Sequence, residues 1–279
     1  MFAMRNIAVI TGASSGIGRE FAVQVARKYN FDEIWIVARR ADRLRALADE
    51  LNCPESTCVV RPVAMDISGK DGVARFCDFI RNEAERTSDD GGRGLEIGLL
   101  VNNAGFGTYG PFAQTSLKCQ MEMIELNCTT VTGICGIALP YLKEGSVIIN
   151  TVSLAAFMPL GNFAVYAASK SYVLNFSLAL AAELKDRGIK VCALCPGSVL
   201  SEFADVASNG ARKEVKGGFP PQKVVAHCLE RAFRGRKTAL YRAKWRLAAL
   251  TSRFAGRYFC ARVTFRHHKR PRAPDSDMN

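Results

Sequence analysis

The chain is poor in the residues that build metal centres, and its cysteines do not form a disulfide framework. It has three histidines, and its ten cysteines are scattered without regular spacing, mostly within apolar stretches. Cys192 and Cys195 form a C-x-x-C pair, a spacing also found in metal and redox sites. The stretch from Ile189 to Cys195 predicts a strand, on which this odd spacing directs the two thiols to opposite faces. We therefore predict no metal site and a reducing, cytoplasmic environment.

Long apolar runs are also missing, and one long stretch lacks acidic residues. No uninterrupted apolar run approaches the ~18 residues of a membrane span, and the first residues pass directly into a strand-like run from Asn6 to Ile10, which leaves no room for a signal peptide. Between Arg231 and Arg272 there is no Asp or Glu. Basic residues recur there, so this tail carries most of the excess of 38 Lys and Arg over 26 Asp and Glu.

The chain is long enough and apolar enough to form the core of an α/β domain. The 279 residues are 48% hydrophobic, and Val/Ile-rich runs alternate regularly with helical patterns, including helices predicted from Ser116 to Leu139 and from Phe163 to Asp186. The strands lack polar alternation, as expected when both faces of a parallel sheet are covered. We predict a single doubly wound, Rossmann-type domain over residues 1–230, followed by a basic extension over residues 231–279.

A glycine-rich turn stands where the first strand meets the first helix. Glycines at this place allow a tight turn and close backbone approach, and the helix N-terminus offers free N–H groups to a pyrophosphate. A glycine triplet alone is weak evidence, but this one has a strand before it and a helix after it. We predict a dinucleotide site that uses Gly12, Ser14, Ser15, Gly16, Ile17 and Gly18.

The end of the second strand indicates which dinucleotide is bound. An acidic residue there would bind a ribose 2′-hydroxyl, and an arginine would accept a 2′-phosphate. Ala38 supplies no acid, while Arg39 and Arg40 supply planar cationic donors. We predict NADP(H) as the cofactor; the alternative is that both arginines are merely solvated at the start of a helix.

Tyr166 and Lys170 have the chemistry of a proton-donating pair. On a helix the i, i+4 spacing puts the phenol and the ammonium on one face. A nearby cation favours the phenolate, so Lys170 is expected to lower the pKa of Tyr166 toward working pH, with help from a second positive charge. Such a pair also occurs by chance on exposed helices, and its significance depends on the residues around it.

These motifs together resemble the short-chain dehydrogenase/reductase superfamily, in an NADP-preferring form. The resemblance runs from Asn6 to about Ser201, and its motifs occur in order: Thr11 to Gly18, Asp66, Asn102 to Gly105, Asn127, Ser153, Tyr166 with Lys170, and Pro196-Gly197. It implies a seven-stranded parallel sheet in the order 3-2-1-4-5-6-7, flanked by helices. Relatives of this kind are commonly homodimers or homotetramers.

The resemblance also assigns roles to residues. It implies that Tyr166 donates a proton to the substrate oxygen, Lys170 binds the nicotinamide ribose, Ser153 positions the carbonyl, and Asn127 anchors a water that supplies protons. The further cofactor contacts that it implies are Asp66 and Ile67 at the adenine, Asn103, Ala104 and Gly105 along the cofactor, and Pro196, Gly197, Val199 and Ser201 over the nicotinamide. Val152 and Ser201 depart mildly from the usual serine and threonine.

Aromatic and apolar residues near the expected cleft predict a hydrophobic substrate. The segment from Ser198 to Gly218 reads as a mobile lid, and the candidate pocket residues are Phe106, Leu154, Phe157, Met158, Phe163 and Phe203. About half of these could belong to the core instead. We predict a small hydrophobic ketone or secondary alcohol of a fatty-acyl, sphingoid or steroid-like kind.

The basic extension allows three interpretations. A helix from Leu240 to Tyr258 would place Leu240, Leu247, Leu250, Phe254 and Tyr258 on one side with arginines beside them, an arrangement that suits an anionic membrane surface. The apolar side could instead pack on the body or on another subunit. A non-catalytic NADP-sensing or nucleic-acid-binding protein is a further alternative, although no nucleic-acid motif is recognisable and none is expected. The last residues, from His267 onward, are predicted to be disordered.

Overall fold

The domain is built on one parallel sheet. A computed structural model of the protein describes residues 4–52, 58–89, 94–213 and 217–274. Its seven strands pair in the order β3-β2-β1-β4-β5-β6-β7, every pair parallel, which confirms the predicted fold class. The strands are β1 (Arg5–Thr11), β2 (Glu33–Ala38), β3 (Val59–Ala64), β4 (Leu95–Asn102), β5 (Val147–Thr151), β6 (Lys190–Leu194) and β7 (Thr238–Ala239).

Helices follow the strands along the chain. They are α1 (Gly16–Lys28), α2 (Ala41–Leu51), α3 (Gly69–Asp89), α4 (Leu117–Ile124), α5 (Thr130–Ala138), α6 (Ala164–Glu183), α7 (Phe203–Ala207), α8 (Pro221–Phe233), α9 (Ala243–Thr251) and α10 (Arg257–His267). A π-helical turn, Glu125–Thr129, joins α4 to α5, so the helix predicted from Ser116 to Leu139 is continuous but widened at its centre.

The sheet is covered on both faces, as its uniformly apolar strands require. Along β1, Ala8 and Ile10 pack with side chains of α1, α2 and α8, whereas Ile7 and Val9 pack with those of α3, α5 and α6. Successive side chains of a strand point to opposite faces, so two separate cores form from one run of apolar residues.

The run Leu117–Tyr141 is long and apolar enough, by length and composition, to cross a membrane. Its most apolar window is 39% buried in the folded protein, and its two helices contact α3, α6 and β4. A core helix of a soluble domain has the same composition, and in this fold the run forms part of one helical layer.

The boundary predicted at residue 230 needs correction. That position lies inside α8, and β7 pairs with β6 through Ala193 to Thr238 and Leu194 to Ala239. The sheet therefore continues at least to Ala239. Sequence patterns did not indicate β7, because a two-residue strand is too short to show any periodicity.

The basic extension also differs from the prediction. The helix expected from Leu240 to Tyr258 is divided into α9 and α10, and Gly256 is the residue that precedes α10. Trp245 and Ala249 are the buried residues of α9. Residues 267–274, predicted to be disordered, lie against the domain; residues 275–279 of the predicted disordered end, and residues 214–216 of the predicted lid, lie outside the described residues.

Candidate active site

The four predicted catalytic residues come from three neighbouring elements. Ser153 follows β5, Tyr166 and Lys170 lie in the first two turns of α6, and Asn127 lies in the π-helical turn. The carboxyl ends of parallel strands meet at one edge of the sheet, where ligands of such folds bind. The fold therefore brings together side chains that are up to 43 positions apart in the sequence.

Lys170 is a buried lysine beside Tyr166. Its side chain donates a hydrogen bond to the Thr151 carbonyl oxygen at 2.9 Å, and its Nζ lies 5.7 Å from the centroid of the Tyr166 ring. Only 5% of Lys170 is exposed. This burial disfavours the charged form and lowers the pKa of Lys170 to about 8.

Asn127 is fully buried and held in one orientation. Its Nδ2 donates to the Phe106 carbonyl at 2.9 Å and to Ser169 Oγ at 3.1 Å, while its Oδ1 accepts from the Phe106 N–H at 3.1 Å. A side chain at Gly105 would come within 2.7 Å of Asn127 Oδ1 and 3.3 Å of Lys170 Nζ. Glycine is therefore needed for Asn127 and Lys170 to approach this loop so closely.

Tyr166 lies in an aromatic cluster. The ring of Phe163 stacks on it with centroids 4.1 Å apart, and Phe203 lies 5.4 Å away. Burial raises the pKa of Tyr166 well above its ordinary value, and a hydrogen bond with Ser153 opposes this only in part. In the protein alone, desolvation of the phenol is the largest cause, and the pKa of Tyr166 does not move toward working pH as expected with a second positive charge beside it.

The glycine turn is built as the sequence predicts. A Cβ on Gly18 would lie 2.1 Å from the Gly12 carbonyl oxygen, and one on Gly12 would lie 2.8 Å from the Ala104 backbone. Asn103 and Ala104 both donate their N–H groups to Thr11 Oγ1, at 2.9 and 3.1 Å. The turn is thereby packed on the loop after β4, and no side chain other than hydrogen fits at Gly12 or Gly18.

Two of the arginines that follow β2, Arg40 and Arg43, bind a carboxylate in the protein. Arg40 donates to Ser14 Oγ at 3.0 Å and to Ser15 Oγ at 2.8 Å, and it pairs with Glu202 at 2.9 Å. Arg43 also pairs with Glu202. Burial disfavours ionisation of Glu202, but the hydrogen bonds of both arginines outweigh it and lower its pKa. Arg39 is exposed and forms no ion pair with a described residue.

Asp66 and Ile67 follow β3, next to these arginines. Burial disfavours ionisation of the Asp66 carboxylate, but hydrogen bonds from Ser68 and the charges of Arg39 and Arg75 outweigh it, so its pKa is lowered. Ile67 is buried, and its carbonyl accepts a hydrogen bond from Thr130 Oγ1 at 2.8 Å. The pair thus lies at the same edge of the sheet as the glycine turn.

The loop after β6 passes over the glycine turn. Pro196 accepts a hydrogen bond from the Leu154 N–H at 2.8 Å, and Val199 forms a bridge with Phe219. A Cβ on Gly16 would come within 3.1 Å of the Ser201 side chain, which places Ser201 above the turn. Gly197 instead meets α9, since a Cβ there would lie 2.4 Å from the Trp245 ring.

The six predicted pocket residues do not all lie together in the structure. Phe106, Phe163 and Phe203 pack in the cluster that contains Tyr166. Leu154 packs on the core beside α8, Phe157 packs on the opposite core beside α6, and Met158 belongs to neither. Leu154 and Phe157 are therefore partly buried residues that pack against the two cores and not in the Tyr166 cluster.

Several residues of the site were not predicted. Tyr109 belongs to the Tyr166 cluster, and Arg270 lies 4.9 Å from the centroid of the Phe163 ring. Arg43 could have been found from its position three residues after Arg40 on a helix, but nothing local marks Tyr109, Glu202 or Arg270. Their roles depend on long-range folding.

Comparison with known proteins agrees with this geometry. The short chain dehydrogenase family model matches residues 6–211. The chain is 32% identical over 215 residues to the mouse 17-beta-hydroxysteroid dehydrogenase type 3, covering 75% of this chain and 65% of that protein. It is 34% identical to a very-long-chain 3-oxoacyl-CoA reductase of Neurospora crassa, covering 66% and 53%, and 34% identical to a serine 3-dehydrogenase of Agrobacterium fabrum, covering 74% and 77%. It thus spans about half to two thirds of the length of the first two.

A solved structure has the same fold. The short-chain dehydrogenase from Sphingobium yanoikuyae in complex with NADPH superposes with a TM-score of 0.73 at 28% identity, covering 90% of this chain and 94% of that one. The parallel sheet and the glycine turn define a Rossmann-type fold, and Ser153, Tyr166 and Lys170 lie together at the carboxyl edge of its sheet. The chain belongs to the short-chain dehydrogenase family.

Proposed function

We propose that the protein is an NADP(H)-dependent oxidoreductase that interconverts a ketone and a secondary alcohol on a hydrophobic substrate. The observation that carries this proposal is the cluster around Tyr166. The phenol is buried among Phe163, Phe203 and Tyr109 and shares a hydrogen bond with Ser153. A proton donor inside an aromatic cleft suits the reduction of an apolar carbonyl.

Each polar residue has a distinct part in the proposed reaction. The bound cofactor supplies the hydride. Tyr166 stays protonated because burial raises its pKa, and it donates this proton to the substrate oxygen. Ser153 donates a hydrogen bond to the same oxygen and stabilises the charge that develops there. Lys170 favours the phenolate that remains, and Asn127 holds the loop of Phe106 beside it.

The preference for NADP(H) rests on Arg39 and Arg40. The residues around them fit a dinucleotide, because a side chain at Gly12 or Gly18 would fill the space where the backbone must approach it. Arg40 and Arg43 bind the Glu202 carboxylate in the protein alone, which supports the use of this place for an anion such as a 2′-phosphate. Arg39 is the remaining exposed cation at the strand end.

The cofactor preference is tested by measuring kcat/KM with NADPH and with NADH. We expect NADPH to be preferred at least about tenfold, and Arg39→Ala with Arg40→Ala to remove most of that preference while leaving NADH use nearly unchanged. Arg45→Ala, on an exposed position of α2, is the matched control. Equal or better use of NADH by the unchanged protein contradicts the proposal.

The substrate class is tested with a panel of ketones and alcohols. Long-chain acyl, steroid and bulky aromatic ketones are compared with a polar hydroxy acid such as serine, which one relative's name suggests. Turnover confined to the hydrophobic members is expected. Cofactor binding without any turnover would favour the non-catalytic alternative, a nucleotide-sensing protein on the same scaffold, and binding of duplex DNA or RNA would favour its nucleic-acid-binding form.

We propose further that the protein is cytoplasmic and contacts membranes peripherally. Five side chains of α9, α10 and their connection are largely exposed: Leu247, Leu250, Phe254, Tyr258 and Phe259, at 61%, 53%, 85%, 78% and 67%. We call them the apolar tail face. The surrounding residues 231–274 contain many Lys and Arg and no Asp or Glu. An exposed apolar surface in a stretch whose charged residues are all basic is complementary to anionic phospholipid.

A second exposed apolar surface supports a homodimer or homotetramer. It lies on α4 and α6 and includes Leu117, Met121, Ile124, Tyr172 and Leu178. The only charged residues of α6 are Lys170, which is buried, and Glu183 at its end. A nearly uncharged helix face can pair with its own copy without charge repulsion, as an isologous interface requires. Sedimentation of Leu117→Glu with Met121→Glu should show dissociation to monomers.

A further inference from the structure

The segment Thr264 to Pro274 is attached on two sides of the aromatic cluster around Tyr166; we call it the roof segment. At one end Gly161 N–H donates to Thr264 Oγ1 at 2.9 Å, just before α6. At the other end Ala273 N–H donates to the Ser208 carbonyl at 2.9 Å, just after α7. The roof segment is thus tied to both elements that carry the aromatic residues around Tyr166.

Arg270 is the roof residue that points to this cluster. Its guanidinium carbon lies 4.9 Å from the Phe163 centroid and 5.8 Å from the Tyr109 centroid. Phe163 in turn stacks on Tyr166. A single aromatic ring therefore separates a cation from the proposed proton donor.

The guanidinium has more donors than partners. It can donate five hydrogen bonds, and within the described residues it donates one, from Nη1 to the Gly161 carbonyl at 3.3 Å. No carboxylate of the described residues pairs with it, and the charge of Arg212 acts on it unfavourably. Burial and the charge of Arg212 lower the pKa of Arg270, but arginine remains charged at working pH.

A partly buried cation is costly unless an anion compensates it, and an arginine fork matches an oxoanion in a bidentate manner. We propose that Arg270 binds an anionic group of the substrate, so that the preferred substrates are hydrophobic ketones that carry a carboxylate or phosphate. This inference rests on the proposed function, since it specifies the substrate of the same site. The aromatic rings hold the apolar part, while Arg270 fixes the acidic end.

The test compares an acidic ketone, benzoylpropionate, with its neutral methyl ester, and adds phenacyl phosphate as a second acidic ketone. We expect kcat/KM to be at least tenfold higher for an acid than for the ester, through a lower KM. A higher value for one acid over the other identifies carboxylate or phosphate as the preferred group. Arg270→Gln should reduce the ratio of kcat/KM for the acid to kcat/KM for the ester to about one, and Arg270→Lys should retain part of this preference. Arg266→Gln, an exposed neighbour, is the control.

Two outcomes overturn the inference. One is equal use of acid and ester by the unchanged protein. The other is an equal loss for both substrates in Arg270→Gln and Arg270→Lys, which would mean that Arg270 only holds the roof segment in place. Absence of turnover with every ketone, charged or neutral, and with either cofactor would instead contradict the proposed function itself.

Discussion

The ring of Phe163 lies on the ring of Tyr166, with 4.1 Å between centroids and 20° between planes. Phe163 directly precedes α6, and Tyr166 is the third residue of that helix, so a local contact excludes water from the phenol. This desolvation raises the pKa of Tyr166. The protein alone therefore holds Tyr166 as a proton donor, and lowering its pKa toward working pH requires a positive charge in addition to that of Lys170.

Replacing Tyr166 by Phe removes the proposed proton donor without removing the ring that packs on Phe163. We expect kcat to fall at least about a thousandfold, while the Kd for NADPH, measured by fluorescence, changes less than about threefold. Tyr172→Phe is the control, because Tyr172 is an exposed tyrosine of the same helix that bonds Thr132. A Tyr166→Phe enzyme with near-normal kcat would refute the assigned role.

The lowered pKa of Lys170 predicts a loss of activity at alkaline pH. Its pKa is lowered to about 8 by burial, so its charge is present below that pH and is lost as the pH rises through it. The favourable effect of this charge on the Tyr166 phenolate disappears with it. We expect kcat/KM for NADPH, which reports groups of the free enzyme, to fall as the pH passes about 8. A value that stays constant to about pH 10 would contradict this assignment.

Two glycine substitutions should have opposite effects. In Gly18→Ala the new methyl group would lie 2.1 Å from the Gly12 carbonyl oxygen, so the turn must distort. We expect NADPH binding to be lost and the free energy of unfolding to fall by about 2–4 kcal/mol. Gly136→Ala meets nothing within 4 Å and lies inside α5, so it should raise stability by up to about 1 kcal/mol. Thermal unfolding with and without NADPH measures both.

The apolar tail face predicts binding to anionic vesicles. We expect the protein to float with vesicles of phosphatidylserine and phosphatidylcholine, and less with phosphatidylcholine alone, because the basic residues add electrostatic attraction. Leu247→Ser with Phe254→Ser and Phe259→Ser should abolish flotation while leaving kcat unchanged. Val59→Ser with Phe112→Ser, two exposed apolar residues outside both apolar surfaces, is the matched control. Undiminished flotation of the triple variant would count against this surface.

The sequence was sufficient to predict the features that depend on residues close together in the chain. The glycine turn is recognisable because Gly12, Gly16 and Gly18 follow a strand and open a helix, and Tyr166 and Lys170 share a helix face by their spacing. The central strands β1, β2, β5 and β6 are mostly buried, and their apolar composition indicates a parallel sheet covered on both faces. The order of the seven strands, which is correct, came from the resemblance to the family.

The remaining features depend on segments that are distant in the sequence. Phe157 and Phe163 are both aromatic residues near Ser153, yet they pack in different clusters, because the short turn after Ser153 directs Phe157 to the core. Arg270 reaches the cleft through hydrogen bonds to backbone more than 60 residues away, and basic composition gave no indication of this. Desolvation of Tyr166 likewise depends on tertiary packing.

The wide turn at Glu125–Thr129 contains one residue more than an α-helical turn, because the Thr130 N–H bonds the Glu125 carbonyl five residues back. Removing one residue before Asn127 would restore a regular helix but rotate α4 by about 100° relative to α5. The two helices then could not both keep their present contacts with α6 and α3. Insertions and deletions in this stretch are therefore expected to be far less tolerated among natural variants than substitutions are.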